Sequence, residues 1–415
     1  MNRKLISQTL NDWRSNVWLA LELLIVSVVV WFTVDYCYVT YITYNLPMGF
    51  DIEHCYKIKV GMIEKDSPDY TPRDWEERVA DRLELIDRLR RRPEIEYAAY
   101  SNVAHPYNSS NTSQDFRYDT IYPNSFVYTR NVTPDFFNVF KIRGAKRESP
   151  EQLAEMFDGS GVFISSNMFG DRLNPFDIVH DSIRTDWSAE QVIGVTQPMR
   201  QSEYNREGDM DKGILLNIDL ADQSANYRLD ELCVRVRDNM DKDFIRNLMN
   251  DASRHYRVGN LFIGSVESFD SLRESMIGSD RQTVVYMVCG MAFLLVNVFL
   301  GLFGTFWFRT QQRVSEIAIR KVNGATRSDI FRRMIGEGLI ILSAVTIPAI
   351  GIDALLTHFE LNQSLTHNAP TFDVANLLVC ALMSYALIAL MIIAGITIPA
   401  CRAMRLAPAV ALHDE

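Results

Sequence analysis

The residues best suited to chemistry in this chain are the charged ones of a short stretch, VSEIAIRKVNGATRSDI, at positions 314–330. With its flanks, residues 309–333, the stretch carries seven basic residues against two acidic ones; it is broken by Gly324 and lies between two apolar segments. Basic side chains in such a place serve contacts, either with the cytoplasmic face of a membrane or with a partner protein. Which of the two applies depends on the elements that hold the stretch.

The usual catalytic signatures are missing from the sequence. It has no GxSxG elbow, no HExxH helix and no CxxC pair, and its histidines between positions 45 and 281 are scattered. GDMDKG at 208–213 resembles a phosphate loop only superficially, because Ile214 and Leu215 stand where Lys and Ser or Thr are needed. We therefore expect no catalytic, metal-binding or cofactor-binding residue in this chain, and we expect any ATP to be bound by a partner subunit.

Four segments are apolar enough to cross a membrane, although the 415-residue chain is only 47% hydrophobic overall. A crossing helix needs roughly 20 mostly apolar residues. The third segment has a charge-free core of only 15 residues, so a buried soluble helix is its alternative. The first lacks a small-residue cleavage site and is interpreted as a retained anchor rather than a signal peptide. The predicted transmembrane helices are 17–44, 282–308, 334–356 and 374–400.

Basic residues predict the orientation of these helices. Twelve Lys and Arg residues flank these helices on the side of the two termini, against five acidic residues. The link 354–373, on the other side, has no Lys or Arg. This bias predicts a cytoplasmic N-terminus, 1–16, and a cytoplasmic C-terminus, 401–415. Residues 45–281 are then external, and their 30 basic and 41 acidic residues argue against nucleic-acid binding. The same orientation gives a cytoplasmic coupling segment at 309–333 and a short external loop at 357–373.

Two strand, helix, strand units frame the external domain. CYKIKV, a helix within 71–93 and EIEYAAYS form the first, and ELCVRVR, DKDFIRNLMNDA and NLFIGSVESF form the second. We expect Thr71 to cap the first helix, with Asp74 closing a capping box. Two such units far apart in the chain predict a split ferredoxin-like subdomain. The region between them, 105–227, is predicted to be a β-rich inserted subdomain.

Two further features of the external region bear on its connections. Cys55 and Cys233 are the two cysteines of the region. They are either free thiols or, if their strands are neighbours, joined by a disulfide. FDSLRESMIGSDRQTVVYMV runs without a proline into the second transmembrane helix. A continuous helix from Ser268 to Phe308 would be about 60 Å long, unless Gly278 interrupts it.

The basic stretch itself predicts a helix, a sharp elbow and a second helix. Asn323-Gly324 supplies a left-handed stop, and Thr326 with Asp329 three residues later begins a new helix. Before the stop, apolar residues recur at the spacing of one helix face. That face consists of Val314, Ile317, Ala318 and Val322.

The run EIAIRKVNGATRSDI, followed by Glu337, resembles the signature of the MacB/FtsX-like family of ABC transporter permeases. The family pattern is close to E-I-G-I-R-(K/R)-x-x-G-A-T-x-x-x-I with a Glu early in the next span, and Ala318 replaces a common Gly. VTPDFFNVFKIRGAKRESP and GVFISSNMFGD resemble its external-domain pattern, and IPACRAMRLAPAVAL resembles its C-terminal tail. The family tail usually continues with Arg, where this chain has His413-Asp414-Glu415. The chain is identified as a member of this family.

The resemblance implies both a fold and a function. The fold is an α-helical membrane protein with four transmembrane helices plus a large α/β external domain. The function is that of a permease subunit that works as a homodimer or heterodimer. It passes ATP-driven movement from a cytoplasmic ABC ATPase to its external domain. This movement serves efflux or extraction of an extracytoplasmic substrate. The residues assigned to the ATPase contact are Glu316, Ile317, Arg320, Lys321, Gly324, Ala325, Thr326, Arg327 and Ile330.

Two other functions compete with transport. An FtsX-type signalling module in the inner membrane would use the same movement to regulate a cell-wall hydrolase. An anchored enzyme has less support, because no catalytic constellation occurs in the sequence. The expected partners are therefore the ATPase, a second permease copy or paralogue, membrane lipid, and either a periplasmic adaptor or a cell-wall hydrolase.

Overall fold

A computed structural model describes most of the chain, and it divides the chain into two compact units. One unit is Thr43–Arg281, and the other combines Met1–Ile42 with Gln282–Glu415. The predicted features that fall outside the described residues are the N-terminal residues 1–12, the loop residues 360–373, the tail residues 406–415 and residues 208–210 of GDMDKG. The described residues are 13–108, 112–123, 126–157, 161–185, 188–205, 211–218, 231–312, 314–359 and 374–405.

Long helices lie at the two ends of the described chain, and strands with shorter helices lie between them. Two 3-10 helices, Gly170–Arg172 and Pro175–Ile178, lie between the fourth and fifth strands. In chain order the elements are α1 (Trp13–Tyr44), β1 (Cys55–Met62), α2 (Trp75–Arg90), β2 (Ile95–Asn102), β3 (Tyr128–Val132), α3 (Phe136–Val139), α4 (Pro150–Met156), β4 (Val162–Ser165), β5 (Ser182–Arg184), β6 (Ala189–Thr196), β7 (Gly213–Asn217), β8 (Glu231–Val236), α5 (Phe244–His255), β9 (Leu261–Ser268), α6 (Phe269–Gln312), α7 (Val314–Val322), α8 (Arg327–His358) and α9 (Val374–Arg405).

Four of the helices are long and apolar enough to cross a membrane: α1, α6, α8 and α9. The third predicted span is therefore more than a short buried helix, because α8 has 32 residues and extends well beyond its charge-free core. α6 has 44 residues and continues through Gly278, so the predicted interruption at that glycine does not occur. The prediction of four transmembrane helices is confirmed by length and composition.

The helical unit packs its own apolar core and exposes many other large apolar side chains. Leu23 of α1, Phe306 of α6, Leu342 of α8 and Ile392 of α9 are buried in one cluster. Apolar side chains on the outer surface of such a bundle are stable in contact with lipid, whose tails are equally apolar. The most exposed of them include Trp18, Phe293, Ile347 and Leu382.

The other unit is built around one mixed sheet. The strand order is β5-β6-β4-β7-β3-β2-β8-β1-β9. The pairs β3–β7 and β4–β6 are parallel, and the remaining neighbours are antiparallel. One half of this sheet comes from the two predicted strand, helix, strand units.

That half has the ferredoxin-like arrangement. Its strand order is β9-β1-β8-β2 with every pair antiparallel, α2 connects β1 to β2, and α5 connects β8 to β9. Ile58 lies opposite Leu232 in the register, and both side chains are buried against Leu85 of α2 and Leu248 of α5. The predicted split ferredoxin-like subdomain is confirmed, because two interleaved units of this kind define the motif.

The start of α2 differs from the prediction. Asp74, not Thr71, is the N-cap: its side chain accepts a hydrogen bond from the Glu77 amide at 2.8 Å, and the Glu77 carboxylate accepts one from the Asp74 amide at 3.0 Å. Thr71 is held in the preceding loop by Asn260, which accepts from the Thr71 amide at 2.9 Å and donates to its carbonyl at 2.6 Å. The predicted box at Thr71 and Asp74 was wrong because this distant side chain fixes the Thr71 backbone.

The region between the two ferredoxin-like units is rich in strands, as predicted, and it continues the same sheet. β3 joins β2 through the pairs Ser101↔Val132 and Asn102↔Asn131, and β7, β4, β6 and β5 follow. The short helices α3 and α4 belong to this region. Its predicted boundaries, 105 and 227, stay a prediction, because residues 219–230 lie outside the described part of the chain.

Arg235 of β8 is a buried charge that joins three segments of the sheet unit. Its side chain is 2% exposed and donates to the carbonyl oxygens of Val139 at 2.6 Å, Glu53 at 2.8 Å and Asp51 at 3.0 Å. The Asp51 carboxylate lies 3.7 Å from the guanidinium. A buried charge is tolerated only when it is paired and hydrogen-bonded, and this one is both.

Cys55 and Cys233 lie on neighbouring strands, and both are free thiols. The register places Cys55 opposite Arg235 and Cys233 opposite Lys57, so the two cysteines are diagonal neighbours. Cys55 Sγ lies 3.2 Å from the Val139 carbonyl oxygen, to which it can donate. Of the two alternatives left open by the sequence, the disulfide is wrong.

His105 is a buried histidine whose surroundings hold it neutral. Lys57 Nζ lies 2.9 Å from His105 Nε2, and His105 Nδ1 lies 2.7 Å from the Pro106 carbonyl oxygen. These partners fix one tautomer, in which Nδ1–H donates to Pro106 and Nε2 accepts from the ammonium group. Burial, together with the charge of Lys57, lowers the pKa of His105 from 6.5 to about 4.

We expect His105 to make the sheet unit sensitive to mild acid. Between pH 6.5 and about 4 the unfolded chain binds a proton at His105 that the folded chain does not bind, so stability is lost as the pH falls through this window. The shift corresponds to about 3 kcal/mol at its lower end. His105→Gln, which keeps a donor and an acceptor, should flatten the fall in melting temperature between pH 7 and 4, whereas His255→Gln at an exposed site should not. Equal pH profiles for the parent and His105→Gln would contradict this assignment.

Candidate coupling site

The predicted coupling segment begins with α7, a helix of nine residues. Glu316 and Arg320 lie one turn apart and form an ion pair in which the guanidinium donates to Oε1 at 2.7 and 3.0 Å. The pair is largely exposed, and a surface pair at this spacing contributes only about 0.3–0.5 kcal/mol. It therefore orients the charges of α7 rather than holding the segment in place.

The elbow after α7 is a Schellman motif. Gly324 has a positive φ of 89°, its amide donates to the Lys321 carbonyl at 3.0 Å, and the Ala325 amide donates to the Arg320 carbonyl at 3.0 Å. These two bonds satisfy carbonyl groups that the end of a helix otherwise leaves without partners. The left-handed stop predicted from Asn323-Gly324 is confirmed.

The next helix begins immediately, with the capping box that the sequence predicts. The Thr326 hydroxyl accepts from the Asp329 amide at 3.2 Å, and the Asp329 carboxylate accepts from the Thr326 amide at 3.1 Å. Only Ala325 separates the left-handed residue from this cap. The direction of the chain therefore changes within two residues, and both helix ends are closed by local hydrogen bonds.

Part of the predicted contact lies inside the helical unit. Ile317 and Ala318 of α7 are 6% and 4% exposed, and Ile330 of α8 is 3% exposed. Ile317 and Ile330 belong to the same buried cluster as Leu342 and Ile392. The apolar face of α7 thus packs on the bundle, and these two isoleucines are not available to a partner in this structure.

The exposed apolar residues of the segment are different ones. Ile319 is 51% exposed and Val322 is 66% exposed, on the side of α7 away from Ile317. The sequence pattern groups Val322 with Ile317 on one apolar face, and Ile319 is not among the residues assigned to the ATPase contact. The available signal was the spacing of Ile319 and Val322, three residues apart and therefore on one side of a helix. Apolar residues on both sides of a nine-residue helix left the choice of face ambiguous.

The other residues assigned to the ATPase contact lie around these two. They are all on the outer side of α7, in the elbow or in the first turn of α8. Glu316, Gly324, Thr326 and Arg327 are exposed, and Arg320, Lys321 and Ala325 are half-buried. The structure thus brings two exposed apolar side chains together with a basic elbow, a combination that suits a protein contact.

The elbow predicts a specific sensitivity at Gly324. A Cβ at this residue meets no atom within 4 Å, so the cost of substitution comes from the positive φ alone. Gly324→Val should cost about 1–2 kcal/mol and redirect α8, because a β-branched residue is strained in the left-handed region. Gly324→Asn should be tolerated. Melting temperature and stimulation of the partner ATPase check both variants, and equal behaviour of Val and Asn would contradict the role of the left-handed turn.

No group of three or more His, Cys, Asp or Glu side chains that could hold a metal ion occurs in the described ranges. The residues that the structure does bring together at the elbow are hydrogen-bonded helix ends and exposed charges.

Comparisons with known proteins agree with the sequence pattern of the helical unit. Residues 288–408 match the family model described as FtsX-like permease C-terminal, a range that includes α7, the elbow and α8. Comparison with curated proteins finds no match to this chain. The matched range contains the whole predicted coupling segment, 309–333.

Two solved structures are similar to part of the chain. The periplasmic region of MacB from Actinobacillus actinomycetemcomitans is 11% identical with a TM-score of 0.32, over 55% of this chain and 94% of that one. The extracellular domain of the noncanonic ABC-type transporter YknZ from Gram-positive bacteria is 11% identical with a TM-score of 0.30, over 50% of this chain and 100% of that one. Values this low do not guide a functional assignment. Residues 288–408 therefore form a domain of the FtsX-like permease family, as the MacB/FtsX-like ABC transporter permease pattern of the sequence predicts.

Proposed function

We propose that this FtsX-like permease passes ATP-driven movement from a cytoplasmic ABC ATPase to its sheet unit, and that it thereby exports or extracts a substrate on the far side of the membrane. Permeases of this family are in general the non-catalytic components of transporters. The observation that carries the proposal is the elbow, where Ile319 and Val322 are exposed beside Lys321 and Arg327. Exposed apolar side chains next to a rigid basic turn have no role in crossing a membrane, and they fit a contact with a partner protein.

The continuity of α6 supports the mechanical part of the proposal. The helix begins at Phe269, directly after β9, and ends at Gln312, two residues before α7. Its 44 residues give a length of about 66 Å. We propose that this helix carries movement between the coupling segment and the sheet unit.

We also propose that a second copy or a paralogue of the chain covers α6. Only 6% of its most apolar window is buried inside this chain, compared with 39%, 28% and 33% for α1, α8 and α9. A membrane helix gains stability when it packs against other helices. The weak packing of α6 within the chain therefore favours a dimeric permease.

The proposal requires both termini and the elbow to be cytoplasmic and the sheet unit to be external. The distribution of basic residues supports this orientation. Alkaline phosphatase fused after the exposed Asp238 should be active, and the same reporter fused after Val322 should be inactive. β-Galactosidase should give the reverse pattern. Active β-galactosidase after Asp238 would contradict the orientation and the ATPase contact together.

Deletion of the gene separates transport from signalling. If the chain is a transporter, a compound or lipoprotein should accumulate in the deleted strain. A chain with a defective elbow, produced in that strain, should not clear the accumulated compound. An FtsX-type signalling module predicts instead that a cell-wall hydrolase binds the sheet unit of the full chain and loses activity in the deleted strain. Co-purification of an ABC ATPase is expected in both cases, and its absence would contradict the proposed function.

A further inference from the structure

A cavity of about 330 Å³ opens on the ferredoxin-like half of the sheet unit. It lies between the end of β1 with its following loop, the first two turns of α2, and the start of β9. This volume is at the lower end of the range found for small-molecule sites. The cavity is remote in sequence from the elbow, and neither the family match nor the proposed coupling role assigns it a function.

Basic side chains dominate the charged wall of the cavity. Four basic residues, Lys65, Arg73, Arg78 and Arg82, line it together with only two acidic ones, Glu64 and Asp81. The surrounding region, residues 45–281, has the opposite balance, with 30 basic and 41 acidic residues. The positive potential of such a cavity attracts anionic ligands, although the net charge of the whole domain is negative.

The cations of this wall are not all neutralised by the protein. Arg73 is compensated, since its guanidinium lies 3.3 Å from Glu77 and 3.5 Å from Asp81. Arg78 and Arg82 have no ion pair with any carboxylate in the part of the chain that the structure describes. Two adjacent arginines without a counter-ion are the usual protein side of an anion site.

The two arginines are nevertheless held in place. The guanidinium carbon of Arg78 lies 5.3 Å from the centroid of the Trp75 ring, and that of Arg82 lies 5.8 Å from it. Cation–π contacts of this kind orient a guanidinium group without using its N–H donors. Arg78 Nε also donates to the Asp74 carbonyl oxygen at 3.2 Å, which further fixes the Arg78 guanidinium group. Burial lowers the pKa of Arg82, and Arg78 lowers it further, against an opposing effect of Tyr100. An anion between the arginines would relieve this unfavourable environment.

Apolar side chains also line the cavity. Met62, which is 55% exposed, and Leu261 line it, with Tyr70 beside them. An exposed methionine beside a leucine presents flexible apolar surface that adapts to a ligand chain. The cavity therefore combines a place for one negative group with a place for an apolar group.

We propose that this cavity binds an amphipathic organic anion, a phosphate or carboxylate that carries a short apolar chain. Arg78 and Arg82 contact the anionic group, and Met62 and Leu261 contact the chain. Two sources supply this chemistry: a free amphipathic anion and the headgroup of an anionic lipid. The site would give the sheet unit a ligand of its own, separate from the ATPase contact.

Titration calorimetry of the full chain in phosphatidylcholine nanodiscs tests the proposal with octyl phosphate as the probe. We expect saturable binding to the parent and at least tenfold weaker binding to the Arg78→Gln, Arg82→Gln double variant. Arg246→Gln, at an exposed arginine paired with Asp243 at 2.9 Å in the same unit, is the matched control and should bind like the parent. Arg78→Gln alone, at an exposed residue, guards against a folding defect and should also weaken binding.

Four results would overturn the proposal. Octyl phosphate that fails to saturate, or that binds the double variant and the parent equally, excludes the arginine site. Octyl glucoside that binds as tightly as octyl phosphate excludes a role for the charge, and inorganic phosphate that does so excludes a role for the apolar wall. Phosphatidylglycerol in the nanodisc distinguishes the sources: competition seen with the parent but not the double variant identifies a lipid headgroup, and no competition identifies a free anion.

Discussion

A chain carrying Ile319→Asp and Val322→Asp is expected to insert and fold like the parent and to lose stimulation of its partner ATPase. Both side chains are more than half exposed, so their replacement leaves the buried cluster of the helical unit intact. In the complex, however, the new carboxylates would lie in a desolvated contact, at a cost of about 3 kcal/mol or more. This corresponds to a contact roughly a hundredfold weaker. ATP hydrolysis measured in reconstituted membranes, with and without the chain, checks the effect.

Met240→Asp provides the matched control for this double variant. Met240 is also an exposed apolar residue, at 44%, but it belongs to the sheet unit. The same chemical change there should leave ATPase stimulation unchanged. If the double variant stimulated the ATPase as well as the parent and the control do, the exposed side of α7 would not be the contact.

Ile317→Asp is expected to have the opposite profile: a large loss of stability rather than a selective loss of coupling. Ile317 is buried in the cluster that also contains Ile330, Leu342 and Ile392. An unpaired carboxylate in that cluster costs several kcal/mol, on the order of the total stability of many domains. We expect little folded protein after extraction, or a melting temperature far below that of the parent.

Ile317→Val separates the role of packing from that of charge. Removal of one buried methylene typically costs about 0.5–1.5 kcal/mol, so this variant should fold, melt slightly earlier and stimulate the ATPase normally. A stable Ile317→Asp protein with selective loss of ATPase stimulation would show that Ile317 faces the partner. That result would restore the contact predicted from the sequence.

The elbow was predictable because its signals are local. Asn323-Gly324 and the Thr326, Asp329 pair act within a few residues, and helix stops and capping boxes depend on little else. The face of α7 that meets the bundle was not predictable from the same stretch. Ile317 and Ile319 are both apolar, and which of them is buried is decided by packing against α8 and α9 rather than by the stretch itself.

The same distinction applies to the sheet unit. Alternating apolar residues identified the ferredoxin-like strands, because their periodicity is a property of each strand alone. The pairing of β3 with β2, which joins the inserted strands to the same sheet, depends on contacts between residues such as Ser101 and Val132. Thr71 failed as a cap for a similar reason, since Asn260 holds it from far along the chain. The burial of Arg235 could not be predicted from β8 either, because its hydrogen-bond acceptors, the carbonyl oxygens of Asp51, Glu53 and Val139, are far away in sequence.

Photo-cross-linking from residue 322 tests the central claim most directly. A photoreactive amino acid is placed at Val322 or, as a control, at Met240, in cells that also produce the partner ABC ATPase. We expect an adduct between residue 322 and the ATPase, formed only on illumination, and none from residue 240. No adduct from residue 322 in a complex that hydrolyses ATP, or an adduct from residue 240 instead, would contradict the assignment of the elbow as the coupling site.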